Sequence, residues 1–230
     1  MQIIQDRREL HKIPELDRQL PKTIAYLEQA LSNLKCRVFS PMEGALCAFF
    51  DFGAPKAIAF RSEMDALPVR EETKLPFAST HPGKMHACGH DGHMAILLEL
   101  ARRLDKKDKL GRNVLLVFQP SEETTGAAKA LCATKVFKKH GVEAVFGLHL
   151  WPGLDSGVIY SRKNEMMARS CEVPHSSVCV CACVCVCVYL LLPSWSLSRN
   201  LHVFLPLYLL TASRRRVRLA PASPRRSGSG

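Results

Sequence analysis

The sequence predicts a layered α/β fold built on a largely parallel sheet. Helical periodicity alternates over the first 170 residues with short apolar runs, which implies strands joined by helical crossovers. The runs are nearly continuous rather than alternating, the pattern of a sheet covered on both faces. Several of them end in Cys, His or acidic residues, and in open α/β sheets sites form beyond the carboxyl ends of the strands.

Ile13 to Leu34 carries the first helical period. Ala45 to Phe52 and Lys56 to Phe60 then read as strands, the second running into Arg61-Ser62-Glu63-Met64-Asp65. Met94 to Leu104 is a second helix, with Ile96, Leu97, Leu100, Ala101 and Leu104 at helical spacing. Val114 to Phe118 and Ala144 to Leu148 are strands leading to Gln119-Pro120-Ser121-Glu122-Glu123 and to His149. These elements define a first unit, residues 1–170.

Residues 171–230 follow a different grammar and form a separate low-complexity tail. Cys179, Cys181, Cys183, Cys185 and Cys187 alternate with Val and Ala, as a translated TG-dinucleotide repeat would. The tail is expected to be non-native or disordered, and messenger RNA spliced past these codons would show a mispredicted gene. Val178 to Leu192 is fifteen apolar residues, short of the about 20 that a spanning helix needs, and Pro193 and Ser194 follow it. A membrane span over 178–210 is therefore disfavoured.

Charge separates the same two segments. The formal net charge is +11, and from Val173 to Gly230 there are seven arginines (Arg199, Arg214, Arg215, Arg216, Arg218, Arg225, Arg226) and no Lys, Asp or Glu. The first unit is only mildly basic, so no nucleic-acid partner is expected. The cysteines do not form a disulfide framework and the N-terminus shows no secretory signal, so a reducing, cytoplasmic setting is expected.

The densest chemistry lies in Met85-His86-Ala87-Cys88-Gly89-His90-Asp91-Gly92-His93-Met94, with one thiol and three imidazoles in ten residues before a helix. Cys88 and His90 are two apart, which puts both on one side of an extended segment, and a helix N-terminus favours the thiolate that a metal binds. Alone, the pair also fits a buried Cys beside a surface His. Glu122 and Glu123 likewise fit a solvated loop pair. Adjacent carboxylates point in opposite directions, however, so one can bind a metal while the other moves a proton.

Together the stretches RRELHKIPEL, RSEMDALPV, MHACGHDGHMA, VLLVFQPSEETTGAA and GLHLWPGL resemble the metal-dependent amidohydrolases of the aminoacylase and carboxypeptidase class. The resemblance is to the branch acting on N-acyl amino acids, hippurate and amino-acid conjugates of indole-3-acetic acid. It implies a zinc-exopeptidase-like catalytic domain that hydrolyses an amide with two divalent metal ions, zinc or manganese, acting on a small acylated amino acid. In it Cys88 corresponds to a bridging thiolate, His90, His149 and Glu123 to metal ligands, Glu122 to the general base, and Asp65 to an acid behind the metal site that orients a ligand. His11 and Glu15 are expected to hold the N-terminal helix, His93 to cap or pack its helix, and Trp151 to line the core or the pocket.

The match stops near Met167-Ala168-Arg169, where the family enters an inserted dimerisation domain with a substrate-binding His and then returns with a last ligand. His175 and His202 match neither motif. The catalytic domain is thus expected to be incomplete, without the homodimer interface. Besides an active hydrolase, the alternatives are an inactive truncated fragment of that family and a membrane-tethered metal-binding protein.

Overall fold

Strand residues with both faces apolar and helices with one apolar stripe fix how the chain layers. In the computed structural model, residues 1–124 and 126–161 are described, together with the backbone of Val186–Leu191 and Val217–Leu219. The helices are α1 (Gln2–Lys12), α2 (Pro21–Leu31), α3 (His90–Asp105), α4 (Ala128–Ala133) and α5 (Val136–Lys139). The strands are β1 (Arg37–Phe39), β2 (Leu46–Phe50), β3 (Ala57–Glu63), β4 (Asn113–Gln119), β5 (Val142–Leu150), β6 (Ile159–Ser161), β7 (Val186–Leu191) and β8 (Val217–Leu219). Apart from β7 and β8, the expected low-complexity tail lies outside the described residues.

The strands form one sheet in the order β1-β2-β4-β3-β5-β7-β6-β8. Its centre is parallel: β3 pairs with β4 from Ala57↔Asn113 to Glu63↔Gln119, and with β5 on its other side. The β1-β2, β2-β4 and β5-β7 pairs are antiparallel. The parallel register brings the carboxyl ends of β3, β4 and β5 to one edge of the sheet, where the site residues lie.

Alternation along the central strands sends side chains to two covered faces. On one face Leu46, Ala48 and Phe50 of β2 and Val114, Leu116 and Phe118 of β4 pack against Leu10 of α1, Leu27 and Leu31 of α2, and Met94, Leu97, Leu98, Ala101 and Leu104 of α3. On the other, Cys47, Ala59, Leu115 and Val117 pack against Leu131 and Val136 of α4 and α5. Among the described residues no helix is long and apolar enough to cross a membrane.

The single helical period expected over Ile13 to Leu34 is divided. Leu16 bridges Gln19 in a tight turn and Asp17 has φ 56°, so the helix starts only at Pro21. Pro21 has no N–H to leave unpaired, and Glu15 takes up the next donors: its carboxylate accepts from Lys22 N (3.2 Å), Thr23 N (2.9 Å) and the Thr23 hydroxyl (3.0 Å). A carboxylate at that end also complements the helix dipole. Glu15 thus holds the N-terminus of α2, while α1 is an additional helix.

Candidate metal centre

Three strand ends and one helix start converge on the site. The turn into α3 depends on Gly89, whose φ of 89° is a left-handed conformation open to glycine at little cost. Its carbonyl accepts from Gly92 N and His93 N, which starts the helix directly after Cys88. Gly92 lets α3 approach the end of β5, because a Cβ there would lie 2.5 Å from Leu150 Cδ1.

His90 is at the centre of the site. It is buried, and its Nδ1 donates to the Asp65 main-chain carbonyl at 2.7 Å, which leaves the lone pair on Nε2. That Nε2 lies 3.6 Å from Glu123 Oε1 and 4.0 Å from Glu122 Oε2. Both His90 Nε2 and Glu123 Oε1 are buried without a hydrogen-bond partner. On the other side Cys88 Sγ lies 3.5 Å from His149 Nε2.

Potential ligand atoms of Cys88, His90 and His149 lie within 4.8 Å of one another, as do those of His90, Glu122 and Glu123, so His90 belongs to both groups. The structure brings all the expected ligand residues together. Asp65 stands behind them, fully buried, but its carboxylate accepts from Glu123 N at 2.9 Å, and it is the Asp65 carbonyl that orients His90.

Burial, and then the charge of Glu123, push the Cys88 thiol well above its usual range. Burial also raises Glu122, with Glu123 adding to the effect against the pull of His90. Burial and crowding thus disfavour the charged forms of the Cys88 thiol and of Glu122. A divalent cation between them would reverse that balance.

A third group, Glu63, His90 and His93, also has ligand atoms within 4.8 Å of one another. Its own bonds close it: His93 Nδ1 bonds Glu63 Oε2 at 2.8 Å, His93 Nε2 accepts from Leu150 N at 2.9 Å, and Arg61 bonds Glu63 Oε1. Burial opposes the charge on Glu63, but the His93 bond and the Arg61 guanidinium outweigh it and hold the carboxyl well below its usual range. His93 thus does more than cap or pack its helix, since it ties α3 to the ends of β3 and β5.

Sequence reasoning missed Asp17. Its carboxylate accepts from the Ser121 hydroxyl and from Thr124 Oγ1 (2.7 Å), and its carbonyl accepts from Ser121 N (3.1 Å), which fastens the turn carrying Glu122 and Glu123. An Asp a few residues after Pro14 and before Pro21 is a turn signal, although nothing local points to its partner. His11 bonds Asp91 at 2.7 Å and Glu71 at 3.2 Å, and so joins α1 to the start of α3. Trp151, expected to line the core or the pocket, is exposed and so lies outside the core, beside His149 with ring centroids 5.8 Å apart.

The model of peptidase family M20/M25/M40 matches residues 59–213. A protein named as an uncharacterized hydrolase of Staphylococcus aureus is 39% identical over 173 residues, which are 74% of this chain and 45% of that protein. The Bacillus subtilis YxeP protein, described as a dinuclear metal binding peptidase from the M20 family, superposes with a TM-score of 0.63 at 35% identity over 68% of this chain and 44% of its own. An aminobenzoyl-glutamate utilization protein from Klebsiella pneumoniae, 22% identical with a TM-score of 0.54 over 68% of this chain and 45% of its own, shares the fold. The chain spans about half the length of the relatives it matches. With the family model covering well over half of its residues, the chain belongs to peptidase family M20/M25/M40.

Proposed function

We propose that this chain carries the metal-binding face of a hydrolase that uses two divalent cations, zinc or manganese, to cleave the amide bond of an N-acyl amino acid or an amino-acid conjugate. One observation carries the reading. His90 Nε2 and Glu123 Oε1 face each other at 3.6 Å, both buried and without hydrogen-bond partners. Two such acceptors are costly to bury together unless a cation lies between them. The donor set of one thiolate, two imidazoles and a carboxylate suits zinc.

Cys88, His90, Glu123 and His149 would hold the cations. A bound divalent cation supplies a Lewis acid for the amide carbonyl and lowers the pKa of water beside it. Glu122, the more exposed of the paired carboxylates, takes a proton from the attacking water and returns it to the leaving nitrogen. Asp65 keeps Glu123 and His90 in place through its carboxylate and its carbonyl. The substrate class rests on the motif stretches, and the YxeP protein's dinuclear description agrees with two cations.

The test is turnover of a panel of N-acyl amino acids, hippurate among them, with metal content measured in parallel. Glu122→Gln should lose about 10²–10⁴-fold in turnover while keeping its metal, and Cys88→Ser should lose metal. A Glu122→Gln chain as active as the parent would sink the general-base assignment. Stoichiometric metal binding with no turnover across the panel would overturn the hydrolytic reading.

A further inference from the structure

We propose that Glu63 and His93 are positioning residues: a hydrogen-bonded chain runs from Arg61 through them and through Leu150 to set the place of His149. The inference rests on the reading of His149 as a metal ligand, and it assigns work to two buried residues that the mechanism above does not use.

The chain can be followed atom by atom. Arg61 donates to Glu63 Oε1, and its Nε donates to Gln119 Oε1 at 3.0 Å, which fixes the carboxylate between β3 and β4. Glu63 Oε2 accepts from His93 Nδ1 at 2.8 Å. His93 Nε2, left with its lone pair, accepts from Leu150 N at 2.9 Å. The Leu150 carbonyl accepts in turn from His149 Nδ1, and His149 Nε2 then faces Cys88 Sγ at 3.5 Å. The Leu150 carbonyl can only accept, so it holds His149 with its proton on Nδ1 and its Nε2 toward the thiol, while Glu63 and His93 fix where the Leu150 backbone lies.

Two further observations make this a device rather than a by-product of packing. The His93 and His149 rings meet edge to face with centroids 4.6 Å apart, so a shift of His93 moves His149 directly. The Leu150 side chain lies over Gly92, where an added Cβ would have to displace its Cδ1. Nor is His93 a ligand in this arrangement, because both of its nitrogens are taken.

The full chain should be titrated with cobalt(II) and its absorption spectrum recorded, and the histidine ring nitrogens of the metal-free chain should be followed by ¹⁵N NMR. His93→Phe keeps a ring but removes both bonds. It should weaken cobalt binding by about 10–100-fold, shift the cobalt bands, and turn the single His149 tautomer into a mixture. His93→Gln, whose amide can both donate and accept, should recover part of each signal. If His93→Phe proves insoluble, Glu63→Gln keeps the shape without the charge and should move the same signals less. Unchanged cobalt spectra and His149 resonances in a folded variant would overturn the proposal. A parent that binds no cobalt, but whose His149 tautomer still collapses in His93→Phe, would remove the metal reading and leave the positioning role standing.

Discussion

Strands β4 and β5 flank β3 and both deliver residues to the same site, yet they are held differently. All seven residues of β4 are buried, with neighbours on both edges and helices over both faces, whereas no residue of β5 is fully buried. The turn after β4 inherits its position from this packing and from the Asp17 tether. The end of β5 has less packing to rely on, and its His149 is placed by hydrogen bonds through Leu150 and His93. Packing sets where a strand lies, but where packing is thin, directional polar contacts must supply the remaining precision.

That difference can be tested, beginning with the largest effect. Leu116→Ala opens a cavity in the fully buried centre of β4 and should cost about 2–5 kcal/mol by denaturant unfolding. Val145→Ala, at a half-buried position on β5, should cost less than about 1 kcal/mol. Equal costs would mean that β5 is packed as tightly as β4. Gly92→Ala gains helix propensity of up to about 1 kcal/mol but pushes on Leu150. Stability should change by about 1 kcal/mol or less while cobalt affinity falls, separating fold from site at the β5 end.

The smallest effect concerns a third means of fastening, charge at the start of α3. Burial disfavours a charged His11, but the Asp91 hydrogen bond and charge, with help from Glu71 and against Arg7, raise its pKa above 6.5. The stabilisation is complete below pH 6.5 and is lost as pH rises through the folded value. His11→Gln should therefore flatten the decline in stability above pH 6.5. A parent whose melting temperature is level across that range would show that the pair contributes nothing.

The strands at the centre of the sheet were legible as apolar runs: β2, β3 and β4 are largely buried, and β5, though only half-buried, carries Ala144, Val145, Phe146 and Leu148 in succession around Gly147. Helix α1 was not, since its buried residues are Asp6, Leu10 and His11 and two of the three are polar. Asp6 is held by Arg102 at 2.7 Å and Tyr26 at 2.9 Å, partners that hydropathy cannot reveal. In the site, Cys88, His90, Glu122, Glu123 and His149 could be found because each follows a strand or opens a helix. Glu63 was visible at a strand end, but its bond to His93 depends on how α3 crosses β3. The Asp65 carbonyl and the Asp17 tether were equally hidden, because they join segments by geometry rather than by pattern.

The Asp17 tether also has a consequence for the order of assembly. Its partners Ser121 and Thr124 lie 104 and 107 residues further along the chain. During synthesis Asp17 leaves the ribosome well before either hydroxyl exists, and contacts of such long range close late. The Glu122–Glu123 turn is therefore among the last parts to be set, after α1, α2 and the first strands have formed. Nascent chains halted before residue 121 should fold the α1–α2 layer without capturing a metal, so that metal uptake marks the end of folding.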